Sequence, residues 1–409
     1  MKLPSPSSNL MRTAVASAWS YSGRVVGLGW TIALIHTLGF GDYGLYSIAV
    51  AAGSIINAGI DNAFFVRSLR LDEARYQRER AARVLFGSTV AIAGIITFTM
   101  SFVAGYALIL AAGELLFNCY KSQQMRRSRP DLTMRYETLR QVTSIGLGIA
   151  YLYSVNSPSL QWAATLYLLP YLVIWARCLW FVPGHRPAFP GRAKEFGLLS
   201  TEAFAVALYS QGALLVIGAV ADSTVAGYYS VAQVTAMAIA MIGQNFAATY
   251  IDSLRAGAGR VESGPSRAAV LRVASFTGAT MAVIAVGILM FGGPTVGMIA
   301  IIMSGFVFLR TITFVYTMIL SLQHRDALRV RTTVTISIVL MALLVPLVHA
   351  CGGWGAAIAA VFCELALVSV YHRALYSHSA RPAGATESAA TAGSPPTARP
   401  DVNEEVVRG

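Results

Sequence analysis

Hydrophobic residues make up 56% of the 409-residue chain and charged residues only 12%, against roughly a quarter charged in an ordinary soluble domain. That excludes a soluble globular protein, because one apolar stretch after another reaches the roughly 18 residues at which a bilayer-spanning helix is the default reading. The net charge of +12 sits on Lys and Arg dispersed among short connections, which excludes a nucleic-acid-binding module and makes membrane topology the reason for the excess.

In chain order the apolar runs are 14–38, 43–66, 84–104, 106–122, 137–155 and 159–182, then 198–220, 226–250, 270–291, 295–320, 332–350 and 355–376. They predict an all-α polytopic membrane protein of about twelve transmembrane helices. Lys2 and Arg12 precede the first run as they would in a signal peptide. The run is too long for one and no small-residue cleavage site closes it, so it reads as the first transmembrane helix.

Basic residues fill every second connection. Arg67, Arg70, Arg75, Arg78, Arg80 and Arg83 follow the second run, and Lys121, Arg126, Arg127, Arg129 and Arg135 the fourth. Arg186, Arg192 and Lys194 follow the sixth, Arg255, Arg260 and Arg267 the eighth, and Arg325, Arg329 and Arg331 the tenth. The intervening connections GFGDY, SVNSPS, ADSTV, GGP and ACGGWG carry no Lys or Arg. The positive-inside rule then places the basic connections and both termini in the cytoplasm.

The expected organisation is an N-terminal six-helix bundle (1–182), a cytoplasmic linker (183–197), a C-terminal six-helix bundle (198–376) and a disordered tail (377–409) rich in Ala, Pro, Ser and Thr. An internal repeat supports the division. GDYGLYSIAV (41–50) is echoed by TVAGYYSVAQ (224–233), and aligning Gly44 with Gly227 brings Asp61-Asn62 onto Gln244-Asn245. KSQQMRR and LSLQHRD end the fourth and tenth runs alike. Six helices per repeat is an even number, so the halves enter from the same side and are related by an axis along the membrane normal.

Ionisable residues inside a span are expensive and usually face a bundle interior or a wet cavity. The candidates here are Arg24, Asp61, Glu114 and Arg310. Arg24 lies about 15 Å into its span by helical rise, flanked by Ser20, Ser22, Gly23, Gly27 and Gly29. Arg24 and Arg310 are read as cavity-facing anion contacts, and Asp61 and Glu114 as coupling or gating residues, with Glu114 a candidate counter-ion of either arginine. Structural ion pairs are the alternative for all four. Asn118, Gln211 and Gln244 are candidates to complete a sugar-tolerant cavity; Trp19, Tyr21 and Tyr209 are candidates for it too, or interfacial anchors.

Cys119, Cys178, Cys351 and Cys363 show no metal or disulfide spacing, and no Walker A, HExxH, GxSxG or EF-hand pattern is present. No cofactor, metal site or enzymatic activity is expected.

The Arg-bearing first run, LGFGDYGLYSIAV, NAGIDNAFFVR and AGYYSVAQVTAM resemble the Wzx-type polysaccharide flippases, a family related to multidrug and lipid II exporters. The resemblance implies a fold like that of the MATE transporters and ATP-independent, alternating-access translocation of a polyprenyl-diphosphate-linked oligosaccharide for cell-surface polysaccharide synthesis. It also implies a bacterial inner-membrane location, with membrane lipids around the chain and pathway glycosyltransferases or a polymerase as partners. The chain departs from many relatives where it reads SQGALLVIG: Ala213 and Leu214 stand where they carry an acidic and a basic residue. A drug/cation antiporter of the same fold, a glycan polymerase or glycosyltransferase, and a non-transporting scaffold are the competing functions. The very short external connections weigh against an enzyme.

Overall fold

The computed structural model describes residues 6–377 apart from 69, 70, 128, 258 and 292, and leaves out the side chains at 6–18, 20, 21, 24, 130 and 131. The described residues are helical throughout, with short connections and no strand. Most of the expected tail therefore lies outside the described residues.

The first helix, α1 (Pro6–Ser68), contains one non-helical residue, Gly39, at φ 84° and ψ 176°. Side chains with a Cβ avoid that conformation, so glycine is what lets the chain turn there without a loop. From Val25 onward α1 has 44 residues, about 66 Å at 1.5 Å per residue and twice a hydrocarbon core of about 30 Å. It therefore supplies two crossings, an N-terminal and a C-terminal limb, as expected from 14–38 and 43–66.

The others follow the expected runs: α2 (Glu73–Phe98), α3 (Phe102–Arg126), α4 (Pro130–Ser154), α5 (Leu160–Leu179), α6 (Ala193–Val220), α7 (Ser223–Ala248), the six-residue α8 (Ile251–Ala256), α9 (Arg267–Phe291), α10 (Pro294–Leu322), α11 (Asp326–Cys351) and α12 (Gly353–Tyr376). Ten helices among the described residues are long and apolar enough to cross a membrane. With α1 counted twice, α4 is the twelfth expected span. It falls short on composition because Asp131, Arg135, Glu137 and Arg140 crowd its first half.

One expectation is corrected at the face bearing the basic connections, here called the basic face. Arg75, Arg78, Arg80 and Arg83 do not lie in a connection but on the first turns of α2, which starts at Glu73 behind an Asp72 cap whose carboxylate accepts from the Arg75 N–H at 2.8 Å. Lys121 and Arg126 likewise belong to α3, and Lys194 to α6. Hydropathy alone ends a helix where the charges begin. A capped helix with paired arginines continues beyond that point.

The two halves repeat one pattern of packing. In the first, α2 packs on α3, α3 and α4 on α5, and α1 on α3 and α4; in the second, α9 packs on α10, α10 and α11 on α12, α7 on α10 and α6 on α11. Each half has its own buried cluster, one drawn from residues between 30 and 171 and one from residues between 209 and 375, to which the first half adds only Ala51. These are two six-helix bundles.

The bundles meet where the repeat is clearest. A Cβ on Gly44 would fall 1.6 Å from the Ser223 carbonyl oxygen, and one on Gly227 would fall 2.4 Å from the Phe40 carbonyl oxygen. Each glycine faces the carbonyl four residues before the other, which is the reciprocity of a twofold crossing. Tyr43 and Ser230 share a hydrogen bond of 3.1 Å beside it.

From that crossing the C-terminal limb of α1 runs antiparallel along α6. Ile48 meets Gly218, Gly59 meets Phe204, and Asn62 donates to the Leu199 carbonyl at 2.9 Å. At the basic face Arg67 grips Glu79 of α2 through two nitrogens (2.7 and 3.1 Å) and Glu195 of α6 through the third (2.6 Å). Glu195→Gln should therefore loosen the seam while Arg67 keeps its buried partner Glu79. We expect disulfide formation between cysteines placed at Asn62 and Leu199 to slow in this variant, with folded yield unchanged.

Candidate functional site

Three buried ion-pair clusters take up most of the intramembrane charge of the described residues, two in the first bundle and one in the second. Asp61, near the basic face, binds Arg83, and its other oxygen accepts from the Asn118 amide at 2.8 Å. Deeper, Glu114 pairs with Arg140 at 3.3 Å and accepts from the Tyr171 hydroxyl, which itself accepts from Arg140 at 2.5 Å. Glu137 bridges Arg140 and Lys121 at the same site. The partner of Glu114 is thus Arg140 on a neighbouring helix, not Arg310; the side chain of Arg24 lies outside the described residues.

In the second bundle Arg310 of α10 pairs with Glu364 of α12 at 3.3 Å, and the Tyr209 hydroxyl of α6 donates to the same carboxylate oxygen. The guanidinium also lies over the Phe314 and Tyr209 rings, 4.9 and 5.5 Å from their centroids. Glu364 is fully buried. Its second oxygen and the Arg310 Nε, both shielded from solvent, have no hydrogen-bond partner among the described residues, so the pair is incompletely satisfied.

Glu114, Arg310 and Glu364 each stand twelve residues before the basic-face ends of their helices, Arg126, Leu322 and Tyr376. That is a common depth of about 18 Å. The clusters are matched in depth but not inherited through the repeat, since the register that aligns Ser122 with Ser321 sets Arg310 against Ala111 and Glu114 against Thr313.

The second cluster opens onto a cavity inside its bundle. A cavity of about 200 Å³ runs from Arg310 and Tyr209 towards the basic face, between α6, α10, α11 and α12, past Thr313, Thr317 and Thr333 to Glu202 and Arg329. The α10 wall, Arg310, Thr313, Phe314 and Thr317, follows the i, i+3, i+4, i+7 spacing of one helical face. Arg329 is held by Ser321 and Asp326 at 2.6 and 2.9 Å, whereas Glu202 makes no ion pair with any described residue. The cavity is lined by two guanidinium groups, one carboxylate and several hydroxyls, a set suited to anchoring a charged polar group.

The other expected members of a single cavity are dispersed. Asn118 is committed to Asp61, Gln211 is half-buried, and Gln244 is exposed on α7. None of them lines the Arg310 cavity. Trp19 is exposed, with its carbonyl accepting from Thr138 at 2.8 Å, and the side chain of Tyr21 lies outside the described residues. No group of three His, Cys, Asp or Glu residues that could hold a metal occurs among the described residues.

Sequence reasoning passed over Arg140 and Glu364. Glu364 is the only acid of α12, the same signal of one charge in an apolar run that drew attention to Arg24. Arg140 stood too near an expected helix start to register as intramembrane.

No family model and no curated protein matches the sequence. Solved structures do. The lipid II flippase MurJ, in an inward closed conformation, superposes with a TM-score of 0.66 at 12% identity, over 90% of this chain and 88% of that one. The fold is that of MurJ and the MATE transporters. An inward-facing multidrug resistance MATE family transporter of the MOP superfamily gives 0.57 at 14% identity over 89% and 94%, and the MATE multidrug transporter DinF-BH gives 0.53 at 14% over 90% and 96%. The MATE-like architecture expected from the sequence is thereby met.

Proposed function

We propose that the protein is a transporter that moves a polyprenyl-diphosphate-linked oligosaccharide across a bacterial inner membrane by alternating access of its two bundles. In this reading the basic face and both termini are cytoplasmic. The observation that carries it is Arg310: a guanidinium about 18 Å from the basic end of its helix, in the wall of a cavity that also holds Arg329 and the hydroxyls of Thr313, Thr317 and Thr333. Arginine matches phosphate geometry, and a site away from bulk water strengthens the match. The fold shared with a lipid II flippase supports the same class of cargo.

Size constrains the mechanism. About 200 Å³ corresponds to roughly seven waters at about 30 Å³ each, enough for a diphosphate but not for the sugars. The saccharide must pass between the bundles, which requires the Gly44–Gly227 crossing and the Arg67–Glu195 contact to part in turn. In the same reading Arg24, whose side chain lies outside the described residues, is the second anion contact, contributed by the first bundle.

A drug/cation antiporter is the second reading, favoured by Glu202, the carboxylate that lines the same cavity without an ion pair among the described residues. Reconstitution separates the two. Proteoliposomes should translocate a fluorescent lipid-linked saccharide, and Arg310→Gln and Arg24→Ala should each slow translocation tenfold or more. Uptake of a cationic dye with no lipid translocation would overturn the flippase reading in favour of the antiporter.

A further inference from the structure

The outer face of the first bundle carries a feature that the transport reading does not use. Between α3, α4 and α5 lies a groove of about 450 Å³. Its walls are Leu139, Thr143 and Leu147 on α4 and Leu169 and Val173 on α5. Pro170 sits at the deep end, inside α5, where it has no N–H to donate to the preceding turn. From Tyr136 to Leu147 the groove descends eleven residues, about 16 Å from headgroup level to mid-bilayer.

Its chemistry is graded along that length. At the basic-face end stand Arg177 on the last turn of α5 and the rings of Tyr120 and Tyr136, 5.7 Å apart. Among the described residues Arg177, which is exposed, makes no ion pair, and neither phenol is hydrogen-bonded. Arg140 also borders the groove, but Glu114 and Glu137 neutralise it. Below this end the lining is apolar apart from Thr143, whose hydroxyl is turned back to the Leu139 carbonyl at 2.8 Å. At about 30 Å³, the share of one water, the groove takes roughly fifteen water-sized units, the scale of one acyl chain.

We propose that this groove is a binding site for an anionic glycerophospholipid from the leaflet at the basic face. One acyl chain fills the slot, the phosphate rests on Arg177, and the two phenols donate to the headgroup. An adjacent groove of about 280 Å³ between α2, α3 and α5, lined by Ile95, Ile109, Leu172 and Trp175 among others, has no charged residue to fix a head and serves as the internal control.

The test is native mass spectrometry of the delipidated full-length protein with equal amounts of dioleoyl phosphatidylglycerol and dioleoyl phosphatidylcholine. One arginine at an anionic surface is worth about a fivefold preference, so phosphatidylglycerol should be retained about five times more than phosphatidylcholine. Arg177→Gln, an exposed change, should bring the two lipids level. Thr143→Trp, on an exposed helix face, should abolish retention of phosphatidylglycerol, and Ile95→Trp in the neighbouring groove should leave it intact. Equal retention by the unmodified protein, which marks ordinary annular lipid, overturns the proposal, as does a preference that survives Arg177→Gln or Thr143→Trp.

Discussion

Arg310→Ala is expected to destabilise the protein by about 3–5 kcal/mol, the usual cost of leaving a buried charge without its partner, and to abolish transport. The carboxylate left behind is that of Glu364, which has no solvent exposure; its remaining neighbour of note is the Tyr209 hydroxyl. Thermal unfolding in detergent reads the first effect and reconstituted translocation the second. The double variant Arg310→Ala/Glu364→Gln separates them. Removing the acid's charge should restore most of the lost stability, since no uncompensated ion remains, while transport stays absent if Arg310 binds cargo. Recovery of both together would reduce the pair to a structural bridge.

The second large effect is expected at the crossing of the bundles. A methyl on Gly44 would occupy the position of the Ser223 carbonyl, and one on Gly227 would press on that of Phe40. These neighbours are backbone atoms of another helix, which cannot rotate aside as a side chain does, so Gly44→Ala should force α1 and α7 apart. Overpacking of this kind costs about 1–3 kcal/mol and sometimes more. It acts on one face only, so the expected result is a folded protein biased towards opening at the end opposite the basic face. Phe40 and Tyr228, whose ring centroids are 4.7 Å apart, give the readout. Cysteines at these positions should cross-link in the parent and several-fold more slowly with Gly44→Ala. An unchanged cross-linking rate would mean that the crossing is not the closing surface.

Much of the architecture was legible beforehand because the bilayer imposes it. A span must be apolar for about 20 residues, so hydropathy located the twelve segments, and Gly39 fell in the first expected connection. The repeat was legible for a related reason. Glycines at a close helix crossing tolerate no Cβ, so Gly44 and Gly227 remained visible as matching positions in two otherwise generic apolar helices.

Pairing of charges was not legible. Asp61 was read without Arg83, because a run of arginines before an apolar stretch looks like a solvated connection until a cap at Asp72 shows that it is helix. Glu114 had no reason in sequence to choose Arg140, twenty-six residues on and in the next helix, over Arg310.

By itself the sequence determined that this is an all-α membrane protein of two six-helix halves with one strongly basic face, because each of those properties is written in local composition or periodicity. The tertiary structure alone decided which charges neutralise one another, that Arg310 opens onto a cavity within the second bundle, and that the remaining polar candidates are scattered. The physical reason is range. Burial of a helix depends on its own residues, whereas the partner of a charge in a low-dielectric interior is set by which helices pack side by side and by the depth at which their side chains meet.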